Sequence, residues 1–441
     1  MSYELIALLM FSSMMLLLLT GQRVFAVIGF VGAVAAFFLW GTGGIEIPFT
    51  ATIKVMKWYP LLTLPLFVFM GYMLAESRIA DDLYRMFHVW FGPVRGGLAI
   101  GTIFMMVIIS AINGLSVAGM AVGATIALPE LLRRGYDKVM VTGVIQAGSS
   151  LGILVPPSVV LVLYGMIARQ PVGHLWMAGV FPGLMMASLF ILYIVVRCAL
   201  QPGLGPALPK EERENFTLGQ KIALAHAGLV PLAIFLSMTG LFLTGVTSLV
   251  ESSAVGAVAS ILAAALRGRL TFAVLHDTTR KTLGISAMFF WIITAALCFG
   301  AVFDGLGAVR SIEGLFIGDM GLEPWQVLTL MLATFLLLGI FLDDTAMLVI
   351  VAPLFIPLAG ALGFNLVWFG VMYTITCQIA YLTPPFGYNL FLMRAMAPPE
   401  VSLTDIYKSV WPFVGIMLLT LLIIAVFPQI ATWLPDYYYS K

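Results

Sequence analysis

Two stretches set oxygen-bearing side chains beside paired prolines, each inside an apolar run that would otherwise be one membrane helix. The first is Gly148-Ser149-Ser150-Leu151-Gly152-Ile153-Leu154-Val155-Pro156-Pro157-Ser158. Proline lacks a backbone N–H and crowds the carbonyl one turn back, so the helix is expected to break at Val155–Pro156. In hydrocarbon, freed backbone groups are tolerated only where protein or a polar cavity satisfies them. The carbonyls near Gly152 to Val155 therefore become candidate ligands, and Ser149, Ser150 and Ser158 add hydroxyls. The second stretch holds Pro384-Pro385, 228 residues after Pro156-Pro157. It offers carbonyls from Ala380 to Thr383, the Thr383 hydroxyl, Gln378 and Asn389. Two polar joins in other apolar runs, Asn113-Gly114-Leu115-Ser116 and Asp343-Asp344-Thr345, supply more oxygen. Neutral oxygens of this kind suit a partly dehydrated Na⁺. One Na⁺ site is expected from Asn113, Ser116, Gly152, Val155 and Pro156. A second is expected from Asp343, Asp344, Thr345, Ala380, Thr383 and Pro384. Ser149, Ser150, Ser158, Gln378 and Asn389 are expected to line a substrate path.

Other chemistry finds little support. There is no Gly-rich phosphate loop of the G-x-x-x-x-G-K-[ST] type, and no Ser/His/Asp or paired-carboxylate arrangement for hydrolysis. Cys198, Cys298 and Cys377 are isolated, and the four histidines are scattered without metal-ligand spacing. An intramembrane enzyme is not indicated, and no cofactor is expected beyond Na⁺ as coupling ion. Asp343 and Asp344 stand out, because ionisable residues within membrane segments cost at least ~2.5 kcal/mol each and mark ion or substrate paths. A shallow, hydrated tip is the alternative reading. Glu76 and Asp304 read as solvated helix ends. Arg169 and Arg310 read as ordinary surface charges, with guidance of an anion as the alternative.

The elements that must position these residues recur at the same offset. Pro129 pairs with Pro357, Gly135 with Gly363 and Glu76 with Asp304, each 228 residues apart. A constant offset signals internal duplication, and broken helices at matching places in two halves point to a secondary transporter's site. Segments long enough to span fall at about 4–20, 24–40, 58–76, 139–168 (broken) and 175–197. They recur at about 222–246, 250–266, 284–303, 366–396 (broken) and 405–428. Between them, 96–134 and 324–361 each hold two apolar runs meeting at a polar join. Both are read as re-entrant hairpins, with two ordinary crossings each as the alternative. Residues 81–92 and 309–317 are read as interfacial helices, and 201–220 as a polar cytoplasmic linker. The fold class is thus an all-α polytopic membrane protein, with repeats over 1–200 and 221–441.

Composition agrees: 61% of the 441 residues are hydrophobic and 10% charged, with mean hydropathy +1.06, against about 25% charged in soluble domains. With hairpins returning to their own side, 17 of the 22 Lys and Arg lie on one side. The other holds Lys54, Lys57, Arg169, Arg310 and Lys441. The positive-inside rule makes the first side cytoplasmic and both termini external. Five crossings per half invert the second repeat relative to the first.

The motifs resemble the large membrane subunit of TRAP (tripartite ATP-independent periplasmic) transporters over nearly the whole chain. The matching residues are Gly135-Tyr136-Asp137, Gly148, Leu151 to Ser158, Leu163-Tyr164-Gly165 and Ala178-Gly179-Val180-Phe181-Pro182-Gly183. In the second half they are Phe341-Leu342-Asp343, Pro353, Pro357, Leu382-Thr383-Pro384-Pro385 and Gly387-Tyr388-Asn389-Leu390-Phe391. The resemblance implies an elevator-type carrier of the bacterial inner membrane, in which Na⁺ drives uptake of an organic anion such as a C4-dicarboxylate or sugar acid. It also implies two separate partner chains, a periplasmic substrate-binding protein and a small four-helix membrane subunit. One departure stands at the first tip, where the family has Ser-Gly-Ser-Ser. Asn113 and Ser116 fall where its sodium-binding serines lie, while Leu115 removes a hydroxyl. A stand-alone Na⁺- or H⁺-coupled dicarboxylate or anion carrier is the alternative, and Asp343 and Asp344 are the feature that favours protons.

Overall fold

The structure, a computed structural model, describes residues 2–77, 79–114, 116–207, 217–340, 342, 344–385 and 387–439. Among these it is all helix, with no strand. The first half contains α1 (Tyr3–Leu19), α2 (Val24–Leu39), α3 (Glu46–Met56), α4 (Thr63–Glu76), α5 (Ile79–Phe91), α6 (Gly97–Asn113), α7 (Ser116–Val122), α8 (Leu128–Arg133), α9 (Lys138–Ser150), α10 (Val159–Ala168) and α11 (Val172–Leu200). The second contains α12 (Leu218–Leu243), α13 (Leu249–Leu266), α14 (Phe272–Gly305), α15 (Ala308–Glu313), α16 (Pro324–Gly339), α17 (Asp344–Ala361), α18 (Leu366–Leu382), α19 (Tyr388–Met396), α20 (Leu403–Val426) and α21 (Gln429–Tyr439). The residue before many of these helices is a Ser, Thr, Asp or Asn whose side chain accepts a first-turn N–H: Asp137, Ser158, Thr217, Ser248, Thr271, Asn365 and Ser402. Among the described residues, five helical segments are by themselves long and apolar enough to cross a bilayer: 59–76, α11, α13, α14 and α20.

Both long runs expected to break do so. The first stops being α-helical at Ser150, passes through a 3₁₀ turn at Leu151–Ile153 and resumes at Val159. The departure thus begins a turn before the prolines. The second is interrupted between Leu382 and Tyr388. Both Pro–Pro peptide bonds are cis. The flanking turns also match at the 228-residue offset. Gly135 and Gly363 both have positive φ, and Asp137 and Asn365 each cap the helix that follows.

Some elements differ from expectation. Two helices were not anticipated, α3 and α21; both are short and mix polar with apolar residues, so neither produces a long apolar run. α14 begins at Phe272, well before 284, because Thr271 caps a polar turn carrying Asp277, Arg280 and Lys281. Its 34 residues span about 51 Å at 1.5 Å per residue, more than the ~30 Å of a hydrocarbon core. The polar turns therefore extend past it. There Lys281 pairs with Asp277 (2.6 Å) and Glu76 (3.6 Å), so Glu76 is an exposed but paired helix end. The stretch read as one interfacial helix over 309–317 is α15 followed by a π-helical turn at Gly314–Asp319.

The helices pack in two neighbourhoods. α2, α4, α13 and α14 pack on one another, with α1 and α12 beside them. α9, α10, α16, α17 and α18 gather with α11 and α20. Buried Tyr164, Phe335, Phe369 and Tyr373 interlock rings from α10, α16 and α18, with ring centroids 5.0–6.5 Å apart. α14 borders both groups, touching α17 where a Cβ on Gly300 would lie 3.1 Å from that of Pro353.

Candidate functional site

The two interrupted runs meet inside the second neighbourhood. Pro156 and Pro157 remove the N–H groups that would pair the carbonyls of Gly152 and Ile153 in a helix. The Ile153 carbonyl accepts from the Ser158 hydroxyl, whose oxygen also accepts from Leu161 N (3.1 Å) to start α10. The Gly152 carbonyl has no helical donor four residues on. Pro384 and Pro385 do the same to the carbonyls of Ala380 and Tyr381. Ala380 O accepts from Thr383 N (3.1 Å) instead.

Buried polar contacts join these segments. Gln378 Nε2 donates to the Ser150 carbonyl (2.7 Å), and Tyr381 OH approaches the same oxygen at 3.5 Å. Asn389 Nδ2, in the first turn of α19, donates to Ser116 Oγ (3.0 Å), in the first turn of α7. Val159 N donates to the Gly114 carbonyl (3.2 Å), tying the α6–α7 turn to the start of α10. Gly114 is needed here: its φ is +64°, and a Cβ would lie 2.8 Å from the Pro157 carbonyl oxygen. The two helix interruptions and the turn after Asn113 thus form one hydrogen-bonded cluster.

The expected residues divide within it. Ser116, Gly152, Pro156, Ser149, Ser150, Ser158, Gln378, Ala380 and Asn389 are all buried, while Val155, Thr383 and Pro384 are half-buried. Ser149 and Ser150 turn their hydroxyls back on their own helix, donating to Gln146 O (2.8 Å) and Ala147 O (2.7 Å). The Ser150 carbonyl, rather than its hydroxyl, makes the cross-link to α18. Thr383 donates to Ile379 O (2.6 Å), which leaves its oxygen lone pairs to accept. Asn113 ends α6, and Asp344 and Thr345 begin α17, but their side chains lie outside the described residues, as does Asp343 altogether.

Residues not expected in the site hold it in place. Trp176 Nε1 donates to Ser158 O (3.4 Å). On the same helix, a Cβ at Gly179 would lie 2.4 Å from Leu154 O, so only glycine lets α11 approach the interrupted chain this closely. Gly179 and Gly183 are four residues apart, the small-residue spacing of close helix contacts in membranes. That spacing was legible in the sequence as a signal for the seat. At the far end of α9, Lys138 pairs with Asp405 of α20 (2.8 Å). On the α18 side, Trp368 Nε1 donates to Ile424 O (2.9 Å), again on α20.

Comparison with known proteins agrees with this arrangement. The chain matches the family model described as "Tripartite ATP-independent periplasmic transporter, DctM component" over residues 11–430. It is 29% identical to the C4-dicarboxylate TRAP transporter large permease protein DctM of Pseudomonas aeruginosa over 382 residues, covering 86% of this chain and 87% of that protein. The protein of the same name from Vibrio cholerae is 30% identical over 399 residues, with 86% of each chain covered. Among solved structures, the YdaH transporter of Alcanivorax borkumensis superposes with TM-score 0.66 at 15% identity, over 89% of this chain and 91% of that one, a likeness of fold alone. Interrupted apolar helices meeting in a buried polar cluster, and a family match across nearly the full length, together make this chain a multi-pass membrane protein of the DctM family of tripartite ATP-independent periplasmic transporters.

Proposed function

We propose that the chain is the large permease subunit of a Na⁺-coupled, binding-protein-dependent importer of a small organic anion in the bacterial inner membrane. The observation that carries this reading is the buried cluster in which Gln378 meets the Ser150 carbonyl and Asn389 meets Ser116. Such a cluster of neutral oxygens and unwound backbone can exchange a Na⁺ hydration shell for protein oxygens. One Na⁺ takes oxygens from Asn113, Ser116 and the Gly152–Val155 turn; a second takes them from the Asp343–Thr345 tip and the Ala380–Thr383 turn. Ions bound there favour the state in which the tips close over substrate, so coupling is a difference in affinity between open and occluded states.

The matching turns and caps at a 228-residue offset support two inverted repeats, in which α6–α8 and α16–α17 are hairpins entering from opposite sides. On that reading both termini are periplasmic, and the two hairpins with the two interrupted helices, α9–α10 and α18–α19, slide as a unit against a scaffold built from the remaining helices. C4-dicarboxylates are the first substrates to try, since both relatives are named for them. The partners are a small four-helix membrane subunit and a periplasmic substrate-binding protein, each a separate chain.

The test is uptake of labelled succinate and other small carboxylates into proteoliposomes under an imposed Na⁺ gradient. Candidate partner chains encoded beside this one are added or withheld. Uptake that needs Na⁺ and both partners is the expected result. Uptake by this chain alone, driven by a proton gradient, would replace the proposal with a stand-alone carrier.

A further inference from the structure

A cavity of about 1130 Å³ lies away from the proline turns, walled by α3, by the end of α10 and the start of α11, and by Phe242, Leu249 and Leu297 of α12, α13 and α14. Two cationic side chains line it from different elements. Lys54 comes from the last turn of α3, and Arg169 caps the C-terminus of α10. The first turn of α11, which has no side-chain cap, opens onto the same space, where its positive dipole end offsets the negative end of α10. Glu46 also lines the cavity. It sits eight residues before Lys54 on α3, about 12 Å along the axis, beyond a physiological screening length of ~8 Å. It does not cancel the charge at the Lys54 end.

Arg169 has φ +54° and ψ +36°, the left-handed cap conformation in which glycine is the usual residue. An arginine there stands against the local backbone preference. What it brings is a planar guanidinium that can grip a carboxylate with two hydrogen bonds.

We propose that this cavity is a capture site for a small organic carboxylate, held by Arg169 and Lys54 before it passes to the proline turns. The proposal rests on the transport reading for the side from which the anion arrives and for its passage to the proline turns.

The test uses the full chain carrying Thr50→Cys, a position that lines the cavity. The native Cys198, Cys298 and Cys377 are buried and give little background. In detergent, with each rate divided by that reagent's rate on a free thiol, a sulfonate-bearing methanethiosulfonate is expected to be favoured about tenfold over its trimethylammonium counterpart, as a cationic cleft concentrates anions. Lys54→Gln and Arg169→Gly should each shrink that preference several-fold. Millimolar succinate should slow the anionic reagent in the parent but not in Arg169→Gly. That variant suits the left-handed cap, so its Tm should equal or exceed the parent's, which separates loss of charge from misfolding. Equal normalised rates for the two reagents, or no protection by succinate or other small carboxylates, would overturn the capture site even if Na⁺-driven uptake were intact. In sealed right-side-out vesicles, labelling only from the cytoplasmic face would overturn the orientation and order of events, while the charge preference in detergent survived.

Discussion

Ser150 and Gln378 lie 228 residues apart and meet through one backbone carbonyl and one amide. At this scale the useful distinction is between oxygens already committed and oxygens left over. The hydroxyls of Ser149 and Ser150 donate to their own helix and are fully buried, whereas Thr383, bonded in the same way, is half-buried. Thr383 keeps its oxygen lone pairs, and Asn113 stands at the α6–α7 turn. Thr383→Ala and Asn113→Ala should each raise the Na⁺ concentration for half-maximal uptake several-fold, with little loss of protein. Parental Na⁺ dependence in both well-expressed variants would remove those two oxygens from the ion sites.

At the scale of elements, the site depends on what presses against the interrupted chain. α11 packs on 154–155 through Gly179 and Gly183, and α20 holds the outer ends of α9 and α18 through Asp405 and Ile424. Of these, the Lys138–Asp405 pair is the lesser, since partly exposed pairs contribute roughly 0–1 kcal/mol. Overpacking typically costs about 1–3 kcal/mol, and Gly179→Ala places a methyl 2.4 Å from the Leu154 carbonyl oxygen, where a backbone must move. The variant should lower Tm and depress uptake, read by thermal unfolding of the purified protein and by succinate flux. An unchanged Tm with parental flux would mean that α11 is not a seat for the turn.

At the scale of the whole molecule, a sliding mechanism needs at least one contact that changes partners. The contact between α14 and α17 is a candidate, with Gly300 and Pro353 close enough for Cβ atoms 3.1 Å apart, slightly under the usual disulfide spacing. An oxidised Gly300→Cys/Pro353→Cys pair should stop uptake, and reductant should restore it. Parental uptake with the cross-link in place would exclude relative movement of these two helices.

The sequence alone determined the class and, to within about a turn, the places where helices break. A long apolar run has to be helical in lipid, and a Pro–Pro pair has to interrupt it, whatever surrounds it. The glycines Gly135 and Gly363 were equally local and read from the sequence, whereas the caps at Asp137 and Asn365 were seen only in the structure. α3 and α21 were not, because their short mixed stretches become helices only by packing on α14 and α11. Tertiary structure alone decided which oxygens face which. The Ser150 carbonyl pairs with Gln378, Ser116 pairs with Asn389, and Arg169 shares a cavity with Lys54. These neighbours are more than a hundred residues apart in the chain, and no local periodicity encodes a distance set by how helices pack.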